Sequence, residues 1–191
     1  MKKRLLIIFL SITVLGICSC GSKSGTKKES TVKNEESTDE VIEYNTIEVT
    51  SDDLHDGVWD SIITNTKHGN NVSPQLSWEA VEGAESYVIY MVDNTASCWM
   101  HWKSTDVSDT ELPQGWANEN EYIGPYPPDG THEYEVFVIA LKKPVSEIYG
   151  TFDSINVSFE ENLYDLDVDD DGEKGNIIAI GSITGTYTAG E

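Results

Sequence analysis

Four side chains in the middle of this chain carry the types and spacing that could do chemistry: Asp93, His101, His132 and Tyr134. Asp93 and His101 fall in MVDNTASCWMHW (91–102), and His132 and Tyr134 open HEYEVFVIAL (132–141). Between them lies YIGPYPPDG (122–130), a Gly/Pro-rich loop. Imidazole N–H and phenol O–H groups are good donors for a phosphate or sulfate oxygen. A nearby carboxylate can accept from the far ring nitrogen of a histidine and fix its tautomer. The loop from Gly124 to Gly130 can offer backbone N–H groups to the same anion, although each proline removes one. This set points to binding rather than catalysis. Cys98 lies near Asp93 and His101 but has no nucleophile elbow around it, and it reads as a small, partly buried hydrophobe. Asp93, His101 and His132 also lack the compact spacing of a metal-ligand motif.

Strands must position these groups. Tyr87 to Val92 (YVIYMV) is a continuous apolar, β-rich run, as expected for a central strand covered on both faces. Tyr134 to Leu141 is a second such run, and 177–180 with 183–187 predict two short closing strands. His132 and Tyr134 are two apart on a strand, so they share one face while Glu133 points to the other. Turns rich in Gly, Pro, Asn and Asp separate the runs. Helical periodicity is weak, and 145–149 and 159–164 are the short helices it predicts. The fold class expected is mostly β: a single sandwich-like domain with one or two short helices.

The order of motifs resembles the phosphatidylethanolamine-binding protein family, in its bacterial Raf-kinase-inhibitor-like branch. The matching pieces are GNNVSPQLSW (69–78), Asp93, His101-Trp102, LPQG (112–115), YIGPYPPDG (122–130), His132 with Tyr134, and GSITGTY (181–187). The resemblance spans Thr46 to Tyr187. It implies the family's β-fold and a pocket for a small anion or phosphoryl head group. The ligand-binding residues it implies are Asp93, His101, Gly124, Tyr126, His132 and Tyr134, with no catalytic residue and no cofactor. Asp93 would orient, and His101, His132 and Tyr134 would donate to the anion. Three segments depart from the family: Asp93-Asn94-Thr95-Ala96-Ser97 keeps only the first Asp and the Ala of its usual pattern, Glu133 stands where the family has Arg, and 144–175 lacks the usual helical look. Other branches of the family inhibit kinases or peptidases, and outside the cell a peptidase is the protein target that fits.

The N-terminus reads as a lipoprotein export signal. Lys2, Lys3 and Arg4 precede an apolar run from Leu5 to Ile17 that is short for a membrane span. Ile17 and Ser19 place Cys20 in a lipobox, which predicts a signal peptide at 1–19, a lipidated Cys20 and a tether to residue 45. The domain is then 46–191, and about 145 residues are enough for one core. Processing leaves Cys98 without a disulfide partner. Gly21 to Tyr44 is too polar to bury a core and serves as a spacer.

The chain carries −22, and loss of the three basic signal residues leaves 9 basic against 34 acidic residues, a net −25. This excludes nucleic acid, whose backbone requires clustered Lys and Arg, and disfavours direct adsorption to anionic lipid. The lipid anchor is therefore the expected membrane contact. The same field predicts weak affinity, with a zwitterionic head group favoured over inorganic phosphate.

Two other features need weighing. Asp167, Asp169 and Asp171 reproduce the start of a calcium loop, but the twelfth position is Ile178 rather than Glu. A solvated acidic turn is the better account. LSWEAVEGAESYVIY (76–90) also resembles the opening of a fibronectin type III module, which would be an adhesive spacer without a pocket. In such a spacer His101 and His132 would be scattered. Of the tryptophans, Trp78 and Trp102 are expected in the core, and Trp99 and Trp116 near the pocket.

Overall fold

The computed structural model describes residues 44–157 and 159–190. The expected signal peptide (1–19) and the tether from Cys20 to Glu43 lie outside the described residues.

Ten strands and one α-helix follow in chain order. They are β1 (Asn45–Thr46), β2 (Val49–Thr50), β3 (Leu54–His55), β4 (Val58–Trp59), β5 (Leu76–Trp78), β6 (Ser86–Asp93), β7 (Trp99–Val107), β8 (Glu111–Leu112), β9 (Thr131–Leu141), α1 (Phe159–Leu166) and β10 (Ile177–Thr188). The main sheet runs β3-β4-β10-β9-β6-β7, with β1 added in parallel to β10. A small sheet, β2-β5-β8, packs against it. The fold is mostly β, as the patterning predicts.

Every residue of β6 is buried, and their alternation builds two cores. Tyr87, Ile89 and Met91 point into the space beneath the small sheet, joined by Trp59, Leu76, Trp102, Tyr134 and Val136. Val88, Tyr90 and Val92 point the other way, onto Val145, Ile148, Phe159 and Leu166. A strand with apolar residues at both parities can only be central, because period two sends half of them to each face. Helix α1 closes the second core with Phe159 and Leu166 and leaves its acidic first turn, Glu160 and Glu161, exposed. No described helix is long and apolar enough to cross a membrane.

Two expectations need correction. The segment 145–149 is not helical; Val145 and Ile148 instead drop into the second core from an irregular stretch. The two closing strands are one, β10, of 12 residues with a register shift between Ile177 and Ala179. Gly181 and Gly185 lie within this strand and serve close packing. A Cβ on Gly185 would sit 2.7 Å from Trp59 Nε1, and one on Gly181 2.8 Å from Ile47 Cβ. The strand continues through both because its neighbours need the room.

Candidate functional site

Asp93 ends β6 and starts a 3-10 turn, Asn94–Ala96. Its Oδ1 accepts from Thr95 N at 2.9 Å and Ala96 N at 3.0 Å, so the carboxylate caps the turn. Its Oδ2 lies 2.6 Å from His132 Nδ1. A carboxylate can only accept there, so His132 carries its proton on Nδ1. Both partners are nearly excluded from solvent, at 3 % and 9 % exposure.

His101 arrives by a different device. In the β6–β7 ladder Met91 faces Trp102 and Val92 faces Met100, which leaves His101 as the extra residue of a β-bulge. Its backbone carbonyl accepts from Ile123 N at 2.8 Å, and its Nδ1 lies 2.8 Å from Ile123 O. A carbonyl only accepts, so His101 too is protonated on Nδ1. Burial pushes its pKa below the ordinary histidine value, against the opposing pull of the Ile123 hydrogen bond and of Asp93 and Asp153. His101 is thus a buried neutral imidazole.

Tyr134 joins the two histidines. Its ring meets His101 edge-on at 5.2 Å and stacks beside His132 at 6.4 Å. Register explains this: Tyr134 pairs with Asp93, and the i, i+2 relation keeps His132 on the same face, as expected. The Tyr134 hydroxyl is buried and, among the described residues, makes no hydrogen bond of good geometry. Burial first, and then the charge of nearby Asp93, raises its pKa well above the ordinary phenol value. Glu133, on the opposite face, accepts from Asn94 Nδ2.

These groups line a cavity of about 400 Å³. Its walls are largely apolar and aromatic: Trp99, Tyr126, Pro127, Pro128, Ala96 and Ile155 stand around Asp93, His101, His132 and Tyr134. Among the described residues no Lys or Arg lines it. His101 and His132 converge on one cavity, which a spacer module would not require. Trp99 is on the cavity wall as expected, whereas Trp116 packs against the first core.

Gly124 has a different part from the one expected. It does not line the cavity, and its N–H donates to Asn71 Oδ1 at 2.7 Å. A Cβ there would lie 2.8 Å from Asn65 N, so Gly124 lets the loop press against 63–65. Asn71, in the left-handed region at φ 52°, is the buttress of that loop. Pro127 and Pro128 supply walls and no N–H. The rim is accordingly poor in backbone donors.

Sequence reasoning missed Asp153 and Ile155. The strap 153–156 pairs with the outer edge of β7: Asp153 N donates to Met100 O, Met100 N to Ser154 O, and Asn156 N to Cys98 O. Asp153 Oδ1 then accepts from Tyr126 Oη at 2.9 Å and Trp99 Nε1 at 3.1 Å. Burial, with this bond to Asp153, pushes the Tyr126 phenol up to about 12. A positive φ of 52° at Asp153 aims the carboxylate, but nothing local in the sequence announces the pairing. Cys98 is a free cysteine that packs against the second core, its thiol pushed up by burial, then by Glu135, Glu160 and Asp93.

The acidic turn at 167–172 commits its aspartates to backbone amides and to Lys143. Asp167 accepts from Gly175 N and Ile177 N, and Asp169 from Asp171 N, Glu173 N and Lys143 Nζ. Lys143 also reaches Asp171 at 3.0 Å. These bonds hold the Asp169 carboxyl below its ordinary range, Lys143 being the leading cause. Among the described residues no group of three His, Cys, Asp or Glu side chains is disposed to hold a metal.

A curled, mostly β domain with a small pocket at the strand ends defines a class of binding protein, and comparison gives the class its name. The phosphatidylethanolamine-binding protein family model matches residues 45–188, and the chain belongs to that family. Two solved structures share the fold, each at a TM-score of 0.55 and 24 % identity. One is a phosphatidylethanolamine-binding protein homologue from Chlamydia trachomatis, aligned over 75 % of this chain and 97 % of its own. The other is YbcL of E. coli, described as a member of the mammalian family, over 74 % and 98 %. No curated protein matches the chain.

Proposed function

We propose that the chain is an extracytoplasmic lipoprotein, tethered at Cys20, whose pocket binds a small phosphoryl ligand without transforming it. The observation that carries this reading is the convergence of His101, His132 and Tyr134 on one cavity, with the Tyr134 hydroxyl buried beside Asp93 and, among the described residues, without a well-formed hydrogen bond. A buried donor without a partner costs about 1–3 kcal/mol, and a ligand oxygen would offset it. Membership of a family named for a phospholipid supports the phosphoryl class.

The mouth supports a zwitterion over a bare anion. Trp99 and Tyr126 offer aromatic faces to an ammonium group. Asp153 holds them through Oδ1, and Oδ2 takes neither of those bonds. A phosphoryl group at the histidines and an ammonium near Asp153 would match both ends. Binding alone is favoured because the nearby thiol, Cys98, is held protonated.

The test is a ring-resonance titration by NMR with phosphate and then phosphoethanolamine. Joint movement of His101 and His132, tighter with phosphoethanolamine and weakened in Tyr134→Phe, is expected. Two silent rings would sink the pocket reading. For the anchor, Cys20→Ala should move the protein from the membrane to the soluble fraction.

A further inference from the structure

Hydrogen-bond donors and acceptors are unevenly matched in this cavity. An anion needs donors, and the fixed donors here are almost all engaged. His101 Nδ1–H goes to Ile123 O, and His132 Nδ1–H to Asp93 Oδ2. The Trp99 N–H and the Tyr126 O–H both go to Asp153 Oδ1. Thr95 N and Ala96 N go to Asp93 Oδ1. Pro127 and Pro128 have no N–H, and Gly124 N–H is turned to Asn71. Among the side-chain donors of the lining, the Tyr134 hydroxyl inside and the exposed Ser97 hydroxyl remain. In the buried neutral imidazole of His101 Nε2 is a lone pair, because Ile123 O locks the tautomer from behind. An anion would therefore meet an acceptor at His101 where a donor is needed.

We infer that this pocket takes its anion together with one proton, shared between the ligand oxygen and an imidazole Nε2. The inference rests on the phosphoryl-pocket reading and names the ligand class and its regulation. The proton has two sources. A phosphomonoester monoanion brings its own O–H and donates it to Nε2, leaving the imidazole neutral. A sulfate or a phosphodiester has no such proton near neutral pH, so the imidazole must take one from water and donate as imidazolium. The favoured ligand is thus a protonated phosphomonoester, and fully ionised groups bind only as the pH falls.

The charged and titratable surroundings agree with the uptake of a proton. Around His101 stand Asp93 from β6, Tyr134 from β9, Tyr126 from the loop and Asp153 from the strap. Around His132 stand Asp93, Tyr134 and, opposite it on β10, Tyr187. Among the described residues no lysine or arginine lines the cavity, and Asp93 and Asp153 favour the protonated form of His101. Burial opposes this form in the empty site, so the proton and the anion enter as a pair.

The experiment is calorimetry on the full-length chain with sulfate, phosphoethanolamine and glycerophosphoethanolamine, each in two buffers of different ionisation enthalpy. Sulfate and the diester should take up about one proton per anion, and their affinity should fall about tenfold per pH unit between pH 6 and 8. At pH 5.5 phosphoethanolamine, largely the monoanion with a second pKa of about 6, should bind with much less uptake than sulfate. Sulfate binding that is independent of pH, with no uptake, overturns the proton pairing and leaves the anion pocket standing. Binding by none of the three compounds overturns both. Equal uptake for monoester and diester overturns the monoester preference.

Discussion

The pocket and the acidic turn at 167–177 are both built around aspartates in loops, yet they use them differently. In the turn, the four aspartates are consumed: Asp167 by two backbone amides, Asp169 by two amides and Lys143, Asp170 by Ser146 N and Asp171 by Lys143. Around the pocket, Asp93 is equally consumed, but it is consumed in order to hold His132 with Nε2 turned outward from that bond. The Tyr134 hydroxyl beside it makes no well-formed hydrogen bond among the described residues. A polar cluster that satisfies itself is structure. One that leaves directed capacity over, inside a cavity, is a candidate site.

This contrast can be broken by mutation. Asp167→Ala leaves Gly175 N and the buried Ile177 N without their acceptor. It should cost about 2–3 kcal/mol, lowering Tm by about 5–10 °C, with ligand binding unchanged. A thermal melt beside a binding curve reads both. An Asp167→Ala protein that melts normally but loses ligand would reverse the roles of the two regions.

Tyr134→Phe should do the opposite. Removing an unsatisfied buried hydroxyl should leave stability within about 1 kcal/mol of the parent, while phosphoryl affinity falls about tenfold. A large loss of stability instead would mean that the hydroxyl is structural.

The third prediction concerns pH. His101 has a folded pKa below its unfolded value of 6.5, with burial as the leading cause. Between those two values the unfolded chain binds more protons, so stability rises with pH there. The contribution of His101 is complete above pH 6.5 and is lost as pH falls toward the folded value, by at most about 1.4 kcal/mol per unit. Urea titrations at pH 7.5, 6 and 5 should show the decline, and His101→Gln should flatten it. A bound anion should flatten it as well, if proton and anion enter together.

The smallest effect is expected from calcium. Lys143 already neutralises Asp169 and Asp171, so millimolar calcium should move Tm by less than about 1 °C. A clear calcium-dependent rise would show that the turn can exchange its lysine for a metal.

Much of this was legible before the fold. The apolar runs at 87–92 and 134–141 identified the central strands, because a short β-rich run that is apolar at both parities must be covered on both faces. The shared face of His132 and Tyr134 followed from their spacing, and the departure of Glu133 to the other face did too. The 145–149 segment misled because its apolar spacing suits a helix. Its Val145 and Ile148 are buried by tertiary packing without one. The two residues between the predicted closing strands, Gly181 and Ser182, belong to β10 because Gly181 gives room to Ile47 and Val49.

The sequence by itself determined the strand faces, the family and the types of side chain available to the pocket, since these depend on local periodicity and motif order. Only the tertiary structure decided what each polar group does. The bulge that turns His101 inward depends on how β7 registers against β6. The choice of Ile123 O for one histidine and Asp93 for the other joins residues 22 and 39 positions apart. The strap that brings Asp153 to Trp99 and Tyr126 spans 54 and 27. Hydrogen-bond partners at such separations are selected by packing, and packing is not written in the spacing of any one segment.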